Sequence, residues 1–394
     1  MDLTPHWDNL SMLVYITMGI FGALCIRSVN RRSGAEKCRI ISKTGFFYIA
    51  WFAVWIVFAV FRYVGSWIGG GDASSYIRYF EVCQNPGAYS FAQHVDVLYR
   101  LLNLLIRQFT NDYHVLFFVI YGIIVLSYIK FVEEFRFSRM SYIPLILIVY
   151  IYIRGFTSIR TNLGAACILF SIVFLHKKRT IVSIVFAVIS GFFQVASFIY
   201  AFFILFYVIF KKRRLSIRSC IIWIVIASVV GKIGQYIIAN YEIPLLSHGA
   251  YKWYATNKLS GTSFFSNFWK IAFSQMLLGV VLAVLWKLLD KDVDSRTKED
   301  GEKIEFIKMI CIYDIILIPV TYILGIWRGY EYLYIARLML WSALIPVVAK
   351  KLNERSKKVF YAGVLVAFIG WMIFRQYNTW EDSGLMPYVF EPFL

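Results

Sequence analysis

Apolar runs long enough to cross a bilayer recur along this chain, at Leu10–Ile26, Gly45–Val64, Val115–Val132, Cys220–Ile238, Ile271–Leu289, Met309–Ile326, Leu333–Ala349 and Val359–Phe374. A hydrocarbon core of about 30 Å offers no water to free backbone groups, so runs of this length must be helices. A transmembrane β-barrel would need short segments of alternating hydrophobicity, and none is seen. The expected fold class is all-α, a polytopic membrane bundle. Composition agrees, with 60% hydrophobic and 16% charged residues, far from a soluble domain. Asp2 and Asp8 precede the first run and basic residues follow it, the reverse of a cleavable signal peptide.

The net charge of +18 would suggest nucleic acid in a soluble chain, but its placement argues otherwise. Most Lys and Arg fall in Arg27–Lys43, Lys130–Arg139, Lys177–Arg179, Lys211–Arg218, Lys287–Lys308 and Lys350–Lys358. Short basic loops face the cytoplasm, so no nucleic acid partner is expected, and the threading gives about twelve crossings with both termini outside. Residues 1–394 then form a single membrane domain, with outward segments at 65–113 and 240–270 and a charged cytoplasmic loop at 287–308. Cys25, Cys167, Cys220 and Cys311 lie in apolar runs; no disulfide framework or metal site is expected.

Two stretches are too short for that threading unless their turns dip into the membrane. Between Arg139 and Lys177 each limb of a hairpin has about 16–18 residues, near the lower limit for a span. Between Thr180 and Phe210 each limb reaches only about 23 Å. The turns are Arg154–Thr161 and Gly191–Ser197, and non-helical backbone at that depth must line protein or water. Arg154 and Arg160 occupy the first turn, Gln194 and Ser197 the second. Either the arginines snorkel to outer headgroups, or they converge with Arg328 and Arg337 on an anion, for which the guanidinium fork suits phosphate oxygens.

The other outward ionisable residues are few. Asp72 follows three glycines, where backbone can approach a ligand closely; equally, it is placed to cap a helix over Ala73–Glu81. Glu331 lies between Arg328 and Arg337 and is placed either for ion pairing or for chemistry. In "HVDVLYRLLNLLIRQF", Leu98, Leu101, Leu102, Leu105 and Ile106 fall on one helical face and Asp96, Arg100, Asn103 and Arg107 on the other, the pattern of a helix lying in the interface. His94, His114 and His248 read as interfacial polar residues. The outward aromatics, Tyr76 among them, suit an interfacial belt or sugar stacking.

These features resemble the EpsG/Wzy-like family of bacterial polysaccharide polymerases. The resemblance rests on "D-x-x-x-Y-x-x-x-F" (Asp72, Tyr76, Phe80), the helix "LYRLLNLLIRQF", "IRTNLGAACILF" and the second short hairpin. It covers roughly residues 45–210 and, more loosely, 320–345. Family members commonly carry His near the second turn, where "FFQVASF" here places Gln194. The resemblance implies a fold similar to the GT-C glycosyltransferases. It also implies a glycosyltransferase of the bacterial inner membrane that joins oligosaccharide units carried on undecaprenyl pyrophosphate at its outer face, without metal or other cofactor. A chain-length regulator protein is a possible partner. Asp72 and Glu331 are the candidate catalytic carboxylates, Asp72 first, with Arg154, Arg160, Arg328, Arg337, Gln194 and Tyr76 as candidate substrate contacts. The competing class is a flippase or exporter of lipid-linked oligosaccharide. Such a protein should show related halves and charges through the full membrane depth, which this sequence lacks.

Overall fold

The computed structural model describes residues 6–32, 43–65, 67–85, 95–211, 217–240, 297–323 and 329–391. Arg328, His94 and His248 lie outside the described residues, as does the outward segment beyond Asn240. Among the described residues the secondary structure is helical: α1 (Asn9–Arg32), α2 (Lys43–Val60), α3 (Ala73–Val82), α4 (Val97–Arg107), α5 (Tyr113–Phe135), α6 (Ile148–Arg154), α7 (Ile159–His176), α8 (Thr180–Phe193), α9 (Phe198–Ala201), α10 (Phe203–Phe210), α11 (Ile217–Asn240), α12 (Lys298–Ile323), α13 (Tyr334–Ala349), α14 (Glu354–Tyr377) and α15 (Trp380–Ser383). Asn9–Asn30, Tyr113–Phe135, Ile159–His176 and Glu354–Tyr377 are apolar over a full bilayer length. Shorter apolar helices include Gly45–Val60, Ile143–Arg154, Thr180–Phe193, Val195–Phe210 and Tyr334–Ala349.

Helices α5 and α7 form the centre. α5 packs against α2 and α7, and α7 against α8. Gly164 of α7 faces the α8 side, where an added Cβ would lie 3.4 Å from Ser190 O, and small residues of this kind let membrane helices approach closely. α14, by contrast, is almost wholly unburied.

Both short hairpins turn where the chain length requires. A 3-10 segment, Ile143–Leu147, begins with Pro144 in its first turn and leads into α6. Proline suits that position because its missing N–H has no helical partner there. The chain reverses at Gly155–Ser158, and the second hairpin breaks at Gln194, whose backbone is extended (φ −156°, ψ 113°). At 14 residues, α8 is about 21 Å long, shorter than a hydrocarbon core.

The two ends of the bundle differ. At the end bearing the basic loops, Glu134 pairs with His176 and Lys177, and Ser138 N–H donates to Asp300. At the other end the tail folds back over the turns. Tyr63 N–H donates to Val389 O (2.8 Å), Glu391 N–H to Phe61 O (2.8 Å), and Tyr15 Oη to Leu385 O (2.5 Å).

One expectation requires correction. The charged stretch 287–308 is not loop throughout, because from Lys298 onward it forms the first turns of α12. Glu299 and Lys303 pair across one turn at 2.7 Å, and Glu and Lys are good helix formers despite their polarity. Along α4 burial follows neither stripe alone. Tyr99, Asn103 and Ile106 are buried, whereas Leu101 and Leu105 are 53% and 54% exposed. The Asn103 amide donates to Tyr99 O of its own helix at 2.7 Å.

Candidate active site at the hairpin turns

The α6–α7 turn is tight because successive N–H groups bond backward: Gly155 to Ile151 O and Tyr152 O, Phe156 to Ile153 O, and Thr157 to Arg154 O. This brings Arg154, at the end of α6, and Arg160, in the first turn of α7, to one corner of the bundle. Each meets a carboxylate from a distant segment. Arg154 Nε lies 3.6 Å from Glu331 Oε1. Glu331 belongs to the 3-10 turn Gly329–Glu331 before α13, and its side chain is fully buried. Its second oxygen accepts from Asn162 Nδ2 (3.1 Å) and Ser158 Oγ (3.3 Å). Arg160 Nη1 lies 2.7 Å from Asp96 Oδ2, with side chains 18% and 9% exposed.

Asp96 immediately precedes α4 but makes no side-chain bond to that helix. Its other oxygen accepts from Val195 N–H at 3.4 Å, so one carboxylate ties the two hairpin turns together. Burial pushes the Asp96 carboxyl above the ordinary carboxylate range, while Arg160 and the Val195 N–H pull it the other way. A carboxylate between desolvation and a guanidinium is the environment in which functional groups are commonly found.

At the second turn Ser197 N–H donates to Gln194 O (2.8 Å). Ser197 Oγ bonds Tyr332 Oη (2.8 Å), and Tyr332 stacks on Tyr200 with centroids 4.2 Å apart. Tyr200 Oη donates to Gly329 O (2.6 Å). The turn that Gln194 opens is therefore tied through Ser197 to the segment that carries Glu331. A Cβ on Gly164 of α7 would lie 3.3 Å from Gln194 Cβ.

Asp72 sits on the same end. It is exposed, stands at the start of α3, and its side chain does not cap that helix. Its carbonyl accepts from Tyr76 N–H (3.3 Å), and the Tyr76 ring lies 5.9 Å from Arg160 Cζ. The glycines before it are required by geometry. Gly70 (φ +118°) rests against the Phe156 carbonyl of the hairpin turn, with no room for a Cβ. Ser383 O then accepts from both Gly71 N–H and Thr157 Oγ1, each at 2.8 Å. One tail carbonyl thus joins the Asp72 loop to the arginine turn.

Arg337 is placed differently. Its Nε donates to Asp314 Oδ2 at 2.5 Å, between α12 and α13, with side chains 1% and 2% exposed. Its carboxylate partner stands on α12 and not on a turn. Sequence reasoning passed over two residues. Asp96 reads as the polar face of α4. Arg62 reads as one basic residue after an apolar run, yet it is buried. Its guanidinium donates to Gly69 O (2.7 Å), Tyr121 Oη (2.9 Å) and Ala59 O, and packs on Phe117 and Phe156. Among the described residues no group of three or more His, Cys, Asp or Glu is arranged to hold a metal ion.

The architecture and this corner define a membrane-embedded helical protein with a polar, arginine-bearing cluster at one end. A model of the EpsG family matches residues 45–390, so the chain belongs to that family, one of Wzy-like polysaccharide polymerases. No curated protein and no solved structure matches it.

Proposed function

We propose that this chain is a polymerase that joins oligosaccharide units carried on undecaprenyl pyrophosphate, at the outer face of a bacterial inner membrane. In this reading the bundle crosses the membrane about twelve times and is related to the GT-C glycosyltransferases. The observation that carries the proposal is the convergence of Arg154 and Arg160 on one turn, beside the glycine loop of Asp72 and beneath the Gln194 turn. The C1–O bond to the lipid pyrophosphate breaks as the acceptor hydroxyl attacks C1. The departing pyrophosphate keeps the electron pair, and two guanidiniums take up its charge where water is scarce. Asp72, the accessible carboxylate, accepts the hydroxyl proton. Glu331 orients Arg154, Gln194 and Tyr76 contact sugar, and Arg328 extends the anion site. A chain-length regulator is the expected protein partner.

Lysine keeps the charge of arginine but not its fork. Purified Arg154→Lys and Arg160→Lys proteins, given lipid-linked repeat unit, should make polymer at least about tenfold more slowly, for about 1.4 kcal/mol of lost transition-state stabilisation each. Wild-type rates in both variants would refute the phosphate-binding role.

A further inference from the structure

The two turn arginines are held in different ways. Arg154 stands 3.6 Å from Glu331, beyond hydrogen-bonding distance. Arg160 makes a 2.7 Å contact with Asp96, the length of a charge-assisted bond. Asp96 neglects the task its position offers, since its side chain does not cap α4. Its oxygens turn instead to Arg160 and to the Val195 N–H. A carboxylate there occupies the guanidinium edge that a phosphate oxygen would take, because the same fork recognises both groups.

Resting on the polymerase reading above, we propose that Asp96 is an internal stand-in for the substrate's pyrophosphate. It holds Arg160 before substrate binds, yields it to the lipid-linked pyrophosphate, and reclaims it as the spent lipid pyrophosphate leaves. Displacement leaves a buried carboxylate with the Val195 N–H as its remaining donor from this pair of contacts. A buried charge in that position is costly, which favours the return of Arg160 and the expulsion of product. Asp96 is then a positioning residue that acts through Arg160. It lowers affinity for the anion and speeds its release.

The test uses the full chain in lipid nanodiscs with inorganic pyrophosphate as probe. Asp96→Asn removes the competing charge and keeps an acceptor for Val195 N–H. It should bind pyrophosphate on the order of tenfold more tightly, the equivalent of one charge-assisted hydrogen bond. With lipid-linked repeat unit, its steady-state turnover should fall several-fold while its single-turnover rate stays within about twofold of wild type, because release and not chemistry is altered. Asp96→Glu should restore the wild-type affinity, and adding Arg160→Gln to Asp96→Asn should abolish the gain. Wild-type binding of pyrophosphate with equal or weaker binding by folded Asp96→Asn overturns this proposal and leaves the polymerase reading standing. No binding by any form overturns both. Asp96→Ser provides a second neutral variant, and loss of folded protein in both neutral variants would make Asp96 a structural ion-pair partner instead.

Discussion

Among the described residues the bundle buries arginine against carboxylate in two places, and the two are built differently. Between α12 and α13, Arg337 and Asp314 meet at 2.5 Å with 1% and 2% of their side chains exposed. Both stand on regular helix. At the hairpin turns, Arg154 and Arg160 are 13% and 18% exposed and stand on a reversal of the chain. Their carboxylates come from a 3-10 turn and from the start of an amphipathic helix. A pair sealed between helices cannot exchange partners without unfolding its surroundings. A pair assembled from turns can, so burial of an arginine does not by itself mark a site. What distinguishes the second region is access combined with short, loop-borne supports.

That contrast predicts an inverse ranking: substitutions that cost the fold most should say least about chemistry. Arg337→Gln or Asp314→Asn leaves one charge buried without its partner, and breaking a sealed pair in this way costs about 3–5 kcal/mol. Either variant should therefore melt at much lower temperature in detergent, and polymer should disappear in step with the amount of folded protein. Replacing both, as Arg337→Met with Asp314→Leu, should restore folding and polymer together, since an apolar pair of similar volume is tolerated where an ion pair stood. Full folding of Arg337→Gln with loss of polymer would dissolve the contrast and return Arg337 to the substrate site.

An intermediate cost is expected at the seam between the glycine loop and the turns. Gly70 combines φ +118° with direct contact to the Phe156 carbonyl, and its N–H donates to Gly384 O at 3.0 Å. Gly70→Ala places a Cβ against that carbonyl in a backbone region that other residues avoid, for about 1–3 kcal/mol of strain. The protein should still insert, and the loop should lift from the turn. Faster proteolysis within residues 65–85, with unchanged cleavage in the basic loops, would report this. Equal protection at both ends of the bundle would show that the loop is not seated as described.

The legibility of these regions in the sequence follows the same division. The hairpins could be read because basic clusters bracket them and bilayer thickness fixes the remaining length. Their turns fall at Gly155–Ser158 and Gln194, within the expected stretches. The sealed pair could not be read, because nothing in the α12 sequence indicates that Asp314 faces Arg337 across a helix contact. Asp96 was hidden by the ambiguity of amphipathic patterns. Periodicity assigns residues to faces but does not say which face meets protein, and here Tyr99 and Asn103 go inward while Leu101 and Leu105 stay out. Arg62 was hidden because its partners include the carbonyls of Ala59 and Gly69, and carbonyl acceptors leave no mark in side-chain composition.

Asp72→Asn should cost the fold least of all and therefore tests the chemistry most directly. The residue is exposed and its side chain makes no cap bond to α3, so the capping that would otherwise explain an Asp after three glycines is not used. Asn and Asp rank nearly alike at the start of a helix in any case. The change in stability should lie within about 0.5 kcal/mol, as for ordinary surface positions. The amide cannot accept the acceptor's proton. If Asp72 is the base, single-turnover polymerisation should fall by about 100-fold or more, the usual contribution of a positioned general base. Binding of lipid-linked repeat unit should be unchanged. A single-turnover rate near that of wild type would remove Asp72 from the reaction. Glu331 would then be the next carboxylate to test. Because it is fully buried against Arg154, Ser158 and Asn162, Glu331→Gln should lose stability along with activity, a combination that Asp72→Asn must not show.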